Sequence, residues 1–244
     1  MPDAAPPLLT VDRLSAGYRD LQVLWNVSLR VDTGAVSVLL GRNGAGKTTT
    51  LRAIAGLNKA TSGSIRLLAD DITHVPASAR ASRGIAMVQE GKRVFRRRSV
   101  HENLLLGGYA LGWRRKQLSQ HCEVAYDRFP MLRDRSKTLA GSLSGGQQQM
   151  LAIAQALLAE PKVLMLDEPS AGLAPSIVKD VFETIVGLSR EGLGVLLVEQ
   201  AVDDAVRIAD RVTVMDVGRI VVDGAAGTAG DTAVIREAYL GKLS

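Results

Sequence analysis

Three short runs of almost unbroken apolar residues mark the chain: "VSVLL" (36–40), "VLMLD" (163–167) and "VLLVE" (195–199). Strands covered on both faces leave no position for water, so these runs predict members of a parallel sheet. Each is followed by turn residues and then by a plausible helix. The stretch "LWNVSLRVD" obeys a different rule. Trp25, Val27, Leu29 and Val31 alternate with Asn26, Ser28, Arg30 and Asp32, which predicts a strand with one wet face. "RVTVMDVGRIVVDG" predicts a hairpin turning near Asp216 to Gly218. Between about residues 97 and 160 the pattern is mostly helical, with breaks expected at Gly107–Gly108, Pro130 and Gly141. Near the C-terminus, Val234, Ile235, Ala238 and Tyr239 in "TAVIREAYL" predict a short amphipathic helix. There is no internal repeat and no flexible linker. The pattern is that of one mixed α/β domain with a helical insertion and an antiparallel edge.

Composition narrows the class without naming a function. The 244 residues are 46% hydrophobic and 23% charged, enough to bury a real core. A single cysteine, Cys122, excludes an internal disulfide framework and fits a reducing compartment. "MPDAAPPLLT" lacks the basic start and long apolar stretch of a signal peptide. The longest apolar candidates, "LLLGGYALGW" and "MLAIAQALLA", reach about half of the ~20 residues a membrane span needs. The expectation is a chain soluble by itself, with any membrane role exerted through a partner. The net charge of +5 is carried partly by "GKRVFRRRS", "GWRRKQ" and "LRDRSK". Such runs suit phosphate backbones or anionic headgroups, but equally a solvated surface. No aromatic residues interleave the arginines as a base-stacking platform would.

The first candidate chemistry follows "VSVLL". Gly41-Arg42-Asn43-Gly44-Ala45-Gly46-Lys47-Thr48 has the spacing G-x-x-x-x-G-K-[ST] of a phosphate-binding loop. Glycines allow backbone N–H groups to wrap a phosphate, Lys47 adds a mobile cation for the β and γ phosphates, and Thr48 offers a hydroxyl to Mg²⁺. A helix opening near Lys47 aims its positive dipole end at the anion. A strand-to-helix turn that merely needed glycines would account for the glycines, but not for Lys47 and Thr48 at these offsets.

"VLMLDEP" closes an apolar run with two carboxylates. Two solvated charges at a strand end are common. Beside a phosphate loop, however, Asp167 stands where Mg²⁺ is held, and Glu168, next along an extended chain, is placed to polarise an attacking water. A second glycine turn, "LSGGQQQ", opens the helix "QQMLAIAQALLA". Ser144 and Gln147 satisfy a capping box without any ligand. Two consecutive glycines, Gly145 and Gly146, raise the entropic cost of folding unless something comes close to the backbone.

"GRNGAGKT", "LSGGQ" and "LMLDEP", in this order and spacing, resemble the Walker A, signature and Walker B segments of ABC-type ATPases, and the likeness runs from Val11 to Leu240. Within that family the chain is similar to the LivF-type ATP-binding subunits of branched-chain amino acid importers, through "QEGKRVF", "LDEPSAGLAP", "LLVEQ" and "REAYLG". Importers of urea or amides use very similar subunits.

The resemblance implies a P-loop NTPase of the α/β class, with a RecA-like parallel core, an antiparallel β edge and a helical subdomain. It implies one ATP-binding domain over 8–244, its core about 8–90 and 160–225, its helical subdomain about 91–159 and its C-terminal helix about 231–240. It implies ATP and Mg²⁺, held by Gly41 to Thr49 with Asp167, and Tyr18 stacking on adenine. Two such domains pair head to tail, so Ser144, Gly145, Gly146 and Gln147 would bind the γ-phosphate held by the partner. Expected partners are a second, different ATPase, two transmembrane permease subunits contacted around Glu90 to Asn103, and indirectly a solute-binding protein. Nucleic acid is not expected, and the implied location is the cytoplasmic face of the membrane, as a peripheral subunit.

Three positions depart from the general pattern. Gln200 replaces the switch histidine, Ala174 replaces the aspartate expected after "SAGL", and Glu90, with Gln89 beside it, stands where a glutamine usually reaches Mg²⁺. All three resemble the LivF type. A carboxylate at Glu90 can coordinate Mg²⁺ directly. Gln200 can hydrogen-bond a phosphate oxygen but cannot become cationic. Two other readings stand beside the transporter: a soluble ABC ATPase acting on nucleic acid or as an assembly scaffold, and a non-hydrolysing nucleotide binder. The lone Walker A loop and the short interval from Lys47 to Ser144 oppose the first. Glu168 opposes the second.

Overall fold

A computed structural model describes residues 6–109 and 112–226. In chain order the elements are β1 (Leu9–Tyr18), β2 (Leu21–Val31), β3 (Val36–Leu40), α1 (Lys47–Ile54), β4 (Ala60–Leu67), β5 (Asp70–Asp71), α2 (Ala77–Ser82) and β6 (Ile85–Val88). A helical stretch follows, with α3 (Val100–Tyr109), α4 (Arg115–Arg128), α5 (Pro130–Arg133), a single 3-10 turn at Ala140–Ser142 and α6 (Gly145–Leu157). The chain then returns to sheet through β7 (Val163–Asp167), α7 (Pro175–Arg190), β8 (Gly194–Glu199), α8 (Val202–Ile208), β9 (Arg211–Asp216) and β10 (Arg219–Ala225).

Two sheets form. One is antiparallel, ordered β2-β1-β4-β5; the other has six strands, ordered β10-β9-β3-β8-β7-β6. In the second, the pairs β3·β8, β3·β9, β7·β8 and β6·β7 are parallel and β9·β10 is antiparallel. Burial explains the unbroken apolar runs. Val36, Val38 and Leu40 of β3 face one core together with Leu164, Leu166, Val195 and Leu197, while Leu39, Met165, Leu196 and Val198 face another. The helices α3 to α7 cover the first core, and the antiparallel sheet with α1 covers the second. A strand between two cores has no wet face to encode. Strand β2 does have one over Asn26–Val31, where Val27, Leu29 and Val31 are buried and Asn26, Ser28 and Arg30 exposed. Before the left-handed Asn26 (φ +51) the alternation shifts, so Leu24 is buried and Trp25, expected inside, is half-buried.

The hairpin β9–β10 turns at Val217–Gly218 and is tied to β2, with the Trp25 N–H donating to the Gly218 carbonyl at 2.9 Å. Gly218 has φ +74, and a Cβ there would lie 1.9 Å from the Val23 carbonyl oxygen.

The expected break at Gly107–Gly108 does not occur; α3 runs through both glycines to Tyr109. They serve packing. A Cβ on Gly107 would stand 2.3 Å from the Gln155 carbonyl of α6, and one on Gly108 would stand 2.5 Å from Leu118 of α4. Pro130 does interrupt the helical stretch, at N1 of α5 where its missing N–H costs nothing. Gly141 lies in the 3-10 turn. The C-terminal helix expected at 231–240, with Val234, Ile235, Ala238 and Tyr239, lies outside the described residues.

Candidate nucleotide site

Parallel register gathers the chemistry at one end of the six-stranded sheet. Leu40 pairs with Glu199 and Asp167 with Val198, so β3, β8 and β7 end side by side. The loop 41–46, the pair Asp167–Glu168 and Gln200 are therefore neighbours. Ligands of open α/β sheets bind at such carboxyl edges.

The loop after β3 opens α1 at Gly46, which has φ +109. Gly44 has φ +81 and open space around its Cβ position, a conformation glycine adopts without strain. Gly41 has another reason to be glycine: a Cβ there would lie 2.5 Å from the Met215 carbonyl oxygen. Arg42, Asn43 and Gly44 are exposed at the loop tip, while Ala45 and Gly46 are buried. Lys47 is 5% exposed. Its Nζ donates to the carbonyls of Gly41 at 2.8 Å and Arg42 at 3.2 Å, and faces Glu168 Oε1 at 3.4 Å. The ammonium is thus folded back over its own loop.

Thr48 Oγ1 donates to Asp167 Oδ1 at 3.2 Å. Burial pushes the Asp167 carboxyl above its ordinary range, the charges of Glu168 and Glu90 add to the rise, and the Thr48 hydroxyl and Lys47 oppose it. Glu168 does not continue an extended chain. It takes a left-handed φ of +48, and its N–H donates to the Val198 carbonyl at 2.9 Å. This turns its carboxylate toward Lys47 on one side and toward Gln200 on the other, where Gln200 Nε2 donates to Glu168 Oε2.

Glu90 and Gln89 are both exposed but part company. The Glu90 charge acts on Asp167, whereas Gln89 lines a groove of about 340 Å³ with Arg93, Gly107, Ala152 and Gln155. Tyr18 ends β1, an inner strand flanked by β2 and β4, and is 43% exposed. Its hydroxyl lies 3.5 Å from Thr49 Oγ1, and the Arg52 guanidinium stands 5.9 Å from its ring centroid, within cation–π range.

Ser144 caps α6. Its Oγ accepts from the Gln147 N–H at 3.3 Å, and Gln147 Oε1 accepts from the Ser144 N–H at 3.0 Å. Among the described residues, no hydrogen bond or ion pair joins Ser144–Gln147 to the Lys47 loop. The backbone approach expected at the paired glycines comes from within the chain: a Cβ on Gly146 would sit 2.3 Å from Ile177 Cγ2 of α7. Gly145 has more room, with Leu173 and Lys92 beside it.

Two residues of the site escaped the sequence reading. Lys92 has φ +51 and donates to the Ala171 carbonyl at 3.2 Å, next to the start of α6. Glu199, 2% exposed at the end of β8, accepts from the N–H groups of Ser170 and Gln200. A carboxylate closing the apolar run "VLLVE" was its visible signal, the same one that marks Asp167.

These groups fit a nucleoside triphosphate. The glycine loop with left-handed Gly44 and Gly46 can bring N–H groups to phosphate, at the start of α1. Thr48 and Asp167 supply hard oxygen donors suited to Mg²⁺. The described residues contain no cluster of three or more His, Cys, Asp or Glu side chains able to cage a metal.

The ABC transporter family profile matches residues 24–171, more than half of the chain. The chain belongs to the ABC transporter family. It is an ABC ATP-binding subunit, a nucleotide-binding ATPase of the α/β P-loop fold, and such a subunit works with membrane permease partners. The high-affinity branched-chain amino acid transport ATP-binding protein BraG of Pseudomonas aeruginosa is 43% identical over 96% of this chain and 100% of its own length. The probable branched-chain amino acid transport ATP-binding protein LivF of Archaeoglobus fulgidus is 37% identical over 90% and 92%. The lipopolysaccharide export ATP-binding protein LptB of Haemophilus influenzae is 34% identical over 96% and 98%. Among solved structures, a nucleotide-free ATP-binding cassette from an ABC transporter superposes with a TM-score of 0.85 at 26% identity, covering 96% of this chain and 99% of that one. The ADP conformation of another ABC transporter cassette gives 0.84 at 27%, covering 97% and 100%. No helix among the described residues is long and apolar enough to cross a membrane.

Proposed function

We propose that this ABC ATPase energises import of branched-chain amino acids through separate membrane subunits. The end-to-end likeness to BraG, 43% identical, carries the choice of solute class. The clamp on Glu168 between Lys47 and Gln200 supports the catalytic roles. The chain acts as one ATP-binding domain, its core 8–90 and 160–225 bearing the site, with 91–159 as the helical subdomain.

In this reading the adenine stacks on Tyr18, and the phosphates lie along Gly41 to Thr49. Lys47 exchanges its loop carbonyls for the β and γ phosphate oxygens, which carry full charge and outcompete them. Thr48, Asp167 and Glu90 would hold Mg²⁺, which would offset charge on the phosphates. Glu168 orients a water for in-line attack on the γ-phosphorus and accepts its proton as the bond to the bridging oxygen breaks, yielding ADP and inorganic phosphate. Gln200 holds the Glu168 carboxylate in place and reaches the γ-phosphate.

Ser144, Gly145, Gly146 and Gln147 act on a partner's nucleotide, so two ATP molecules close a dimer, here with a second, different ABC ATPase. Closing and opening is the two-state motion that drives the two permease subunits. They dock at the segment Glu90 to Asn103, of which Arg93 also borders the groove lined by Gln89. This places the protein at the cytoplasmic face of the membrane as a peripheral subunit. A solute-binding protein contributes indirectly, and no nucleic acid takes part.

The test is co-purification from native membranes, followed by ATPase assays of the reconstituted complex with its binding protein. Stimulation by leucine, isoleucine or valine is expected. Stimulation by urea or an amide instead, by lipopolysaccharide, or by DNA or RNA without membrane subunits, would overturn the proposal.

A further inference from the structure

Glu199 is a carboxylate withdrawn from water at the hinge between two catalytic loops. Its two oxygens are divided. Oε1 accepts the Ser170 N–H at 3.0 Å, and Oε2 accepts the Gln200 N–H at 3.2 Å. Ser170 lies two residues beyond Glu168 on the loop after β7; Gln200 opens the loop after β8. One side chain therefore spans the ends of neighbouring strands. The span is short because β7 and β8 are paired up to Asp167 and Val198.

Such a fork requires two acceptors of the same sign on one rigid plane. A carboxylate supplies them, and each bond is charge-assisted. A carboxamide supplies one acceptor and turns an NH₂ group toward the other N–H. The loop being held is also strained: Glu168 is left-handed, a conformation that persists in a non-glycine residue only when surrounding contacts fix it. Contacts on either side do so. The Glu168 N–H is held by the Val198 carbonyl, and the chain beyond Pro169 is held by Glu199.

We propose that Glu199 is a positioning residue for hydrolysis, which sets the distance between the Glu168 turn and Gln200 so that the Gln200 carboxamide meets the Glu168 carboxylate. With its oxygens taken by the Ser170 and Gln200 N–H groups, Glu199 acts through those two residues. The inference rests on the assignment of Glu168 as the general base. Burial pushes the Glu199 carboxyl above its ordinary range, and the N–H groups of Ser170 and Gln200 pull it back.

The experiment compares ATPase kinetics of Glu199→Gln, Glu199→Asp, Gln200→Ala, Glu168→Gln and the double variant Glu199→Gln/Gln200→Ala in the assembled transporter. Glu199→Gln and Glu199→Asp are expected to lower kcat by about tenfold while KM for ATP moves by less than about twofold, since ground-state binding is untouched. In the Gln200→Ala background, Glu199→Gln should lower kcat by no more than about twofold further, because both act on one contact. Parental kcat in Glu199→Gln, a loss confined to KM, or full additivity with Gln200→Ala would each overturn the inference. Glu168→Gln separates this from the underlying assignment: normal turnover there sinks the general base, whereas a stalled Glu168→Gln beside a parental Glu199→Gln sinks the positioning role alone. Should the Glu199 variants fail to fold, amide exchange in the intact protein decides. Protection of the Ser170 and Gln200 N–H groups supports the fork, and exchange at open-loop rates removes it.

Discussion

Gln200 Nε2 donates to Glu168 Oε2 at 2.5 Å, joining residues on adjacent strand ends, while the other Glu168 oxygen faces Lys47 at 3.4 Å. The carboxylate is held from two sides, by a cation and by a neutral donor that cannot ionise. A hydrogen bond to a charged group contributes about 1.5–3 kcal/mol. Gln200→Ala should therefore lower kcat by roughly tenfold or more, with KM for ATP little changed. Steady-state ATPase assays decide it, and turnover equal to the parent would show that Gln200 does not hold the base.

Lys47 is buried against its own loop, so its replacement has two effects. Lys47→Ala removes the cation proposed to meet the phosphates and also strips a donor from the Gly41 and Arg42 carbonyls. A preorganised electrostatic donor of this kind is worth about 10²–10³-fold in kcat. A loss on that scale, together with weakened binding of a fluorescent ATP analogue, is expected. Normal turnover in the variant would remove the phosphate-loop assignment.

Asp167, the proposed Mg²⁺ ligand, is a carboxylate buried at a cost in stability. Burial raises its carboxyl in the folded protein, so the folded state binds the proton more tightly than the unfolded chain. Its stabilising contribution is full below the ordinary carboxylate pKa of about 3.9 and is lost as pH rises through the raised folded value. Asp167→Asn cannot ionise and escapes that loss. In EDTA its Tm should exceed the parent's at neutral pH, and the gap should close as pH falls toward about 4. Hydrolysis with Mg²⁺ should fall at the same time. A gap that widens on acidification would reverse the sign argued here.

What could be read directly from the sequence was whatever a short window contains. The strands β3, β7 and β8 announce themselves because both faces are covered. The glycine loop is visible because Lys47 and Thr48 follow at fixed offsets, and the Ser144–Gln147 cap is local by construction. What stayed hidden depends on neighbours far away in sequence. Gly107 and Gly108 looked like a helix break because nothing nearby reveals that Gln155 and Leu118 press against them. The left-handed turn of Glu168 is set by Val198 and Glu199, about thirty residues on. The paired glycines of the signature loop suggested a ligand at both positions, yet Ile177 accounts for one of them.

Arg80, 3% exposed on α2, is a buried cation whose guanidinium donates to four backbone carbonyls. Its Nη1 donates to the Ala53 and Ile54 carbonyls at the C-terminal end of α1; Nη2 donates to that of Thr73 and Nε to that of Val75. A guanidinium there satisfies carbonyls that the helix leaves orphaned and complements the dipole of α1. Arg80→Leu would take this donor from the Ile54, Thr73 and Val75 carbonyls and leave Ala53 with backbone N–H donors only, at about 3 kcal/mol or more. Because α1 begins at Lys47, ATP affinity should fall with stability. Denaturant unfolding checks the first effect, and a change under about 0.5 kcal/mol would show the carbonyls to be satisfied otherwise.

Gly146 separates what the signature loop does inside this chain from what it does for a partner. A Cβ there would stand 2.3 Å from Ile177 Cγ2, a distance that forces α6 and α7 apart. Gly146→Ala should destabilise the isolated protein by about 1–3 kcal/mol, as overpacking does. Ile177→Ala removes the obstructing methyl and should restore much of that loss when combined with Gly146→Ala, a coupling that a double-mutant cycle measures. Gly145, whose nearest neighbour would lie 3.3 Å from a Cβ, should tolerate alanine with less loss of stability. If the signature loop also serves a nucleotide held by the paired ATPase, the rescued double variant will fold normally yet still form the ATP-closed dimer poorly. Full recovery of both stability and dimerisation would assign Gly146 to helix packing alone and leave Ser144 and Gly145 as the residues that face the partner.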